Sequence, residues 1–303
     1  MKDNLLEGHS GCKLLLLKSE NSDHIEGVRK LSKGREYNER LKAQSLKQAT
    51  FNSKEFLSPE VYNEGTIKDI YYFDMKYIRG TTLSSSIKNL DSNEIELIAN
   101  KIIALIKENR DSSETLNQSD SELLVIKKLS NIEKSLNSTK KNTLGETFNY
   151  LENYQWDNLK NSPCHGDLTF ENILISDQGI YLIDFLDTFI ETWISDVSKM
   201  LQDLIVGWSF RKEIIAKKIS EHEKIKMNLF KDIFCKNINN TINEQKFWEQ
   251  VHAYLILDLL RIIPYTDNEE IYQFIEKAIL KLTTEVEKGK FYEYINNTMR
   301  WPI

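Results

Sequence analysis

Helix-breaking residues are scarce in this sequence. Eleven glycines and four prolines are spread over 303 residues. Because these two types interrupt helices, their scarcity argues for a largely helical protein. Cysteine is scarcer still. Cys12, Cys164 and Cys235 lie far apart, an odd and unclustered set that excludes a disulfide framework or zinc-ligand spacing and suggests a reducing compartment. An excess of positive charge is also missing: the formal net charge is −6. Without a basic stripe to release counterions from a phosphate backbone, DNA and RNA are set aside as main partners, although a local basic pocket for a nucleotide stays open. No apolar run approaches the ~20 residues that a membrane helix needs. Leu14–Leu17 is flanked by charge and too short for the apolar core of a signal peptide. The expectation is a soluble cytoplasmic protein with no membrane and no nucleic-acid partner.

What is present suits a folded chain with a sizeable core: 40% hydrophobic and 10% aromatic residues, in a length that fits one large domain or two lobes. The first eighty residues look mixed. Leu14–Leu17 and Ile70–Ile78 read as strands, His24–Leu31 as a weaker one, and Arg35–Thr50 as a helix rich in Glu, Lys, Gln, Ala and Leu. After Gly80 helical patterns dominate. Asp91-Ser-Asn-Glu94 resembles a capping box ahead of Ile95, Ile98, Ile102 and Ile106 at helical spacing. Further helices are expected near 121–136, 143–156, 192–207, 211–220, 222–237, 243–262 and 268–288, with 109–121 as a connector. One hairpin interrupts them: Ile173–Ser176, the turn Asp177-Gln-Gly179, and Ile180–Phe185.

That hairpin follows the stretch Cys164-His-Gly-Asp-Leu-Thr-Phe-Glu-Asn-Ile-Leu-Ile175, which crowds a histidine, two acids and an asparagine in front of an apolar run. The start of the first hairpin strand lies beside the end of the second, so Asn172 and Asp184 are expected side by side, with Asp167 on the adjoining loop. Two hard oxygen ligands for a divalent cation plus one further carboxylate is the logic of phosphoryl transfer, in which a carboxylate takes the proton of an attacking hydroxyl while Asn and Asp hold Mg²⁺ on a triphosphate. The spacing His-x-Asp-x-x-x-x-Asn is the kinase catalytic-loop pattern, and Asp184-Phe185 stands where kinases carry a metal-binding Asp. Here Gly166 replaces Arg after the histidine, and Leu186 replaces Gly after Phe185.

His165-Gly-Asp-Leu-Thr-Phe-Glu-Asn172 with Ile183-Asp-Phe-Leu-Asp187 resembles the signatures of the aminoglycoside phosphotransferase/choline kinase-like family. The resemblance implies an α+β, bilobal protein-kinase-like fold, with a small β-rich nucleotide-binding lobe at 1–79 and a large helical lobe at 80–303 carrying the catalytic loop and acceptor site. It implies ATP and Mg²⁺ as cofactors and a small-molecule hydroxyl as acceptor: a sugar, an amino-alcohol or an aminoglycoside-like compound. Asp167 is similar to the family's catalytic base, and Asn172 and Asp184 to its metal ligands. His165 resembles a structural loop histidine, and Asp196 an acid that caps a helix and steadies the loop. Asp187 is a candidate for the metal or substrate side. Gly8, Ser10 and Gly11 are candidates for a phosphate-covering turn, against the plainer reading of Gly8-His-Ser-Gly11 as an ordinary β-turn. Lys30, which shares a strand face with Val28, is the preferred phosphate cation, with Arg29 as its rival, and Glu39 the preferred helical partner ahead of Glu36. Met75-Lys-Tyr-Ile-Arg-Gly80 resembles the family hinge, with Met75 lining a base pocket and Lys76 and Ile78 offering backbone groups. Trp193 and Trp208 are candidate acceptor-side rings, although Trp at helical spacing is more often core.

Competing readings are a protein kinase, a non-catalytic nucleotide-binding module on the same fold, and a helical scaffold with an exposed polar turn. The first has little room for a peptide-docking segment between Phe185 and Trp193. The second has no use for Asp167 as a base. The third leaves the ordered motifs unexplained.

Overall fold

In the computed structural model, strand-forming and helix-forming stretches separate as the composition requires. The structure describes residues 5–6, 12–18, 24–115, 118–156, 159–244, 246–297 and 300–302. The chain folds into two compact units: Met1–Thr82 with Asn172–Asp187, and Leu83–Glu171 with Thr188–Ile303.

The first unit holds strands β1 (Leu5–Leu6), β2 (Lys13–Lys18) and β3 (Ile25–Leu31), helix α1 (Asn38–Thr50), and strands β4 (Val61–Ile67), β5 (Ile70–Lys76) and β6 (Thr81–Thr82). A five-stranded antiparallel sheet runs in the order β1-β2-β3-β5-β4. In β3 against β5, Val28 faces Met75 and Lys30 faces Phe73. Val28, Phe73 and Met75 form the unit's core with Cys12, Tyr37, Leu41 and Tyr71. The buried face of α1 is unusually polar, with Gln44, Ser45 and Gln48 beside Leu41. It is tolerated because its amides are bonded: Gln44 Nε2 donates to Tyr37 Oη at 3.1 Å and Gln48 Nε2 to the Pro59 carbonyl at 2.8 Å.

The hairpin strands β7 (Ile173–Ser176) and β8 (Gly179–Leu182) belong to this unit, rather than to the helical part with which sequence order grouped them. Strand pairing is the reason. β6 pairs with β7 through Thr81 and Ile175, and Leu57 exchanges backbone bonds with Ile180 and Leu182. Gly80 is required by this approach, because a Cβ there would lie 2.4 Å from the Ile175 carbonyl oxygen.

The second unit is helical. Its principal helices are α2 (Ser92–Asp111), α3 (Gln118–Ser135), α4 (Trp193–Leu201), α5 (Glu221–Thr241), α6 (Phe247–Ile262) and α7 (Glu269–Thr284). The expected capping box opens α2: Asp91 accepts from the Asn93 and Glu94 amides, and Glu94 accepts from the Asp91 amide. Ile95, Ile98, Ile102, Ile103 and Ile106 are buried, each contributing about 2 kcal/mol of hydrophobic stabilisation. α2 packs on α5 and α4 on α6. The expected connector at 109–121 is shorter, since α2 runs to Asp111 and α3 starts at Gln118. Among the described residues no helix is long and apolar enough to cross a membrane, and the three cysteines are buried and form no disulfide.

Candidate active site

In the first unit, alternation along β3 sends Arg29 and Lys30 to opposite faces of the sheet. Lys30 points inward and is 2% exposed. Its Nζ donates to Asp184 Oδ1 at 2.9 Å and to Gln44 Oε1 at 3.2 Å. Burial alone would lower this ammonium, but the charge and hydrogen bond of Asp184 outweigh it and hold Lys30 above its ordinary value. Arg29 points the other way, bonds Asp74 through Nε and Nη2 at 2.7 and 2.8 Å, and covers the Tyr72 ring. The helical partner expected for Lys30 is corrected. Glu39, in the first turn of α1, has an 85% exposed side chain and pairs with Lys42. Gln44, further along the helix on its buried face, meets Lys30 instead. The acid rival Glu36 is likewise not the partner observed.

The hairpin places Asn172 and Asp184 as its geometry predicts. Ile173 pairs with Leu182, and the Ile183 amide donates to the Asn172 carbonyl at 3.0 Å. Asp184 follows in a left-handed conformation, φ 61°, which costs a non-glycine residue strain and clusters at functional sites. Among the described residues no group of three His, Cys, Asp or Glu forms a metal cage. An asparagine and a carboxylate nevertheless fit Mg²⁺, which takes one or two protein carboxylates and completes its shell with phosphates and water.

At the expected hinge, Met75 is buried and its strand ends at Lys76. The Lys76 amide is committed to the Glu60 carbonyl and the Tyr77 amide to Glu26, so a contact from Lys76 to a base would use its carbonyl. Gly8, Ser10 and Gly11 lie outside the described residues. Asp187 is exposed, and its backbone carbonyl accepts from Arg40 at 3.5 Å.

In the second unit, the loop before Asn172 is pinned from one helix. Asp196 is buried, and its two carboxylate oxygens accept the His165 and Gly166 amides, each at 2.8 Å. The expected cap is corrected: Thr192 caps α4 through the Ile194 amide, and Asp196, one turn in, bonds the loop as expected. His165 is buried, and its Nδ1 accepts the Asp167 amide at 3.2 Å. Gly166 sits at φ 86°, where a side chain would be strained. Downstream of α4 the chain enters a five-residue π-helical turn, Gln202–Val206. Its Asp203 accepts the Phe170 amide at 2.6 Å and the Ser209 amide and hydroxyl at 2.7 and 2.8 Å. Burial pushes Asp203 up to about 7 although these donors pull the other way. The Trp301 indole donates to the Asp203 carbonyl at 2.7 Å.

Asp167 is 29% exposed, and its Oδ1 lies 3.3 Å from Lys199 Nζ. Asp203 and Lys199 are the residues that sequence reasoning missed in this role. The available signal was their spacing from Asp196, at i, i+3 and i+7, which puts all three on one helical face. The two aromatic candidates are not open platforms. Trp193 is 1% exposed and stacks on Phe247 with centroids 5.6 Å apart, so it is core. Trp208 is half-buried under the Arg211 guanidinium, which also bonds Glu171 at 3.2 and 3.3 Å.

The small antiparallel unit and the large helical unit give the protein a kinase-like α+β fold. Solved structures share this fold. A putative fructosamine-3-kinase from Haemophilus somnus matches with a TM-score of 0.58 at 14% identity, over 93% of this chain and 91% of that one. A thermostable mutant of aminoglycoside phosphotransferase APH(4)-Ia, in a ternary complex with AMP-PNP and hygromycin B, matches at 0.62 and 11%, over 93% of each chain. The amicoumacin kinase hAmiN, in complex with AMP-PNP, Ca²⁺ and Ami, matches at 0.60 and 11%, over 97% and 92%. No match was found among curated proteins. The model of the phosphotransferase enzyme family matches residues 38–222, more than half of the chain, and the protein belongs to that family.

Proposed function

We propose that the protein transfers the γ-phosphoryl group of ATP to a hydroxyl of a small molecule. Lys30 binds the triphosphate, Asn172 and Asp184 hold Mg²⁺, and Asp167 is the general base. Bound Mg²⁺ supplies charge neutralisation on the phosphates. The acceptor O–H bond breaks and its proton passes to the Asp167 carboxylate. The acceptor oxygen bonds the γ-phosphorus, the bond from phosphorus to the β–γ bridging oxygen breaks, and ADP leaves. Met75, the Lys76 carbonyl and the Ile78 backbone are proposed for the adenine side. Asp187 is proposed for the acceptor side.

The observation that carries this reading is the Lys30–Asp184 pair, 2.9 Å apart across 154 residues of sequence. A buried cation suited to phosphate and a carboxylate suited to a metal sit together in one compact unit. The AMP-PNP complexes of APH(4)-Ia and hAmiN support a nucleoside triphosphate as donor. A small acceptor is favoured over a protein because only seven residues separate Phe185 from the first residue of α4, Trp193. The test is ADP production from ATP and Mg²⁺ across a panel of sugars, amino-alcohols and aminoglycosides. Asp167→Asn is expected to keep ATP-dependent thermal stabilisation and lose roughly 10²- to 10⁴-fold in kcat. Full turnover in that variant would remove Asp167 from the base role.

A further inference from the structure

Asp196, Lys199 and Asp203 leave one face of α4 and its π-turn toward the loop 165–170. The two acids serve backbone amides, whereas Lys199 serves a side chain. Its Nζ is 3.3 Å from Asp167 Oδ1 and donates to Gln202 Oε1 at 3.3 Å. The Lys199 side chain is 9% exposed, against 29% for Asp167. Burying a lysine in an ion pair is a poor way to gain stability, because an apolar side chain in its place is often neutral or better. The neighbours Val197, Met200 and Leu201 show that this stretch of helix accommodates apolar residues. A lysine kept here and aimed at one acid of the loop therefore points to the chemistry of that acid.

We propose that Lys199 is a positioning residue for Asp167, resting on the reading of Asp167 as the base. By holding Oδ1 it fixes the carboxylate in one orientation, so that Oδ2 takes the acceptor's proton. Gln202, at the start of the π-turn, fixes the lysine in turn. Lys199 neither gains nor loses a proton in the step.

The experiment compares Lys199→Met, Lys199→Arg, Asp167→Asn and the double variant Asp167→Asn/Lys199→Met. ADP release from ATP and Mg²⁺ is followed with water and with the best panel alcohol as acceptor. Lys199→Met is expected to lose roughly 10- to 100-fold in kcat, with the KM for ATP and the ATP-induced rise in Tm unchanged. Lys199→Arg recovers most of the loss. The double variant is no slower than Asp167→Asn alone, because a residue acting through Asp167 has nothing left to position. If Lys199→Met does not fold, Lys199→Gln, which keeps a donor for Gln202, takes its place with the same expectations. A folded, uncharged variant with wild-type kcat beside an inactive Asp167→Asn overturns this proposal alone, as does a double variant whose losses multiply. A fully active Asp167→Asn overturns the base reading itself.

Discussion

Arg29 and Lys30 are neighbours with opposite surroundings, and the difference separates their roles. Arg29 makes a two-pronged bond to Asp74, a geometry that fits a guanidinium. Lys30 presents a compact charge to Asp184 inside the unit. Lys30→Met is expected to abolish ATP-induced stabilisation measured by thermal shift. Arg29→Met should retain it while lowering the Tm of the unliganded protein. Leaving a buried partner unpaired costs ~3–5 kcal/mol, and less here because Asn63 still donates to Asp74 at 2.8 Å. A reversed pattern would exchange the two roles. The preference for Lys30 was legible because side chains alternate along a strand. The partner was not: Glu39 and Gln44 both belong to α1, and which residues face the sheet depends on how the helix sits on it. Acid type alone favoured Glu39, and packing selected an amide.

At the scale of elements, α4 and its π-turn organise the loop. Asp196→Ala would strand two buried amides, each costing about 1–3 kcal/mol. Its Tm should fall accordingly in a thermal melt, while Asp196→Asn, which keeps one accepting oxygen, should fall by less. Equal melting points for Asp196→Ala and wild type would contradict the brace. The hairpin, the helices at 91–111 and 221–241, and the motif residues were all readable, because turn residues, caps and apolar periodicity are local signals. β4 was not. Val61-Tyr-Asn-Glu-Gly-Thr-Ile67 lies at the edge of the sheet with most of its residues exposed, so no buried face imposed alternation on it. The loop-facing side of α4 was half-read: Asp196 was expected both to cap the helix and to steady the loop, and it bonds the loop while Thr192 supplies the cap.

For the whole molecule, two buried groups give opposing responses to pH. Burial pushes His252 down to about 4 from 6.5. Between those values the unfolded chain binds the proton and the folded one does not, so this histidine's contribution makes stability rise with pH from about 4 to about 6.5. Asp203, pushed up from 3.8 to about 7, is protonated when folded and ionised when unfolded in that window, so its contribution makes stability fall from about pH 4 to about 7. The two slopes offset each other in the wild type. In His252→Gln, Tm should decline as pH rises through this window, and in Asp203→Asn it should climb. Parallel Tm–pH curves for all three proteins would refute both assignments.

The route of the backbone has a consequence for synthesis and dissection. The chain leaves the sheet-bearing unit after Thr82 and returns to it only at Asn172–Asp187. No single cut therefore releases that unit intact: a fragment ending at residue 82 would lack the strand beside β6 and leave the Lys30 ammonium buried without its carboxylate. A ribosome translating this protein must continue from Thr82 to Asp187 before the strands made early can find their last partners.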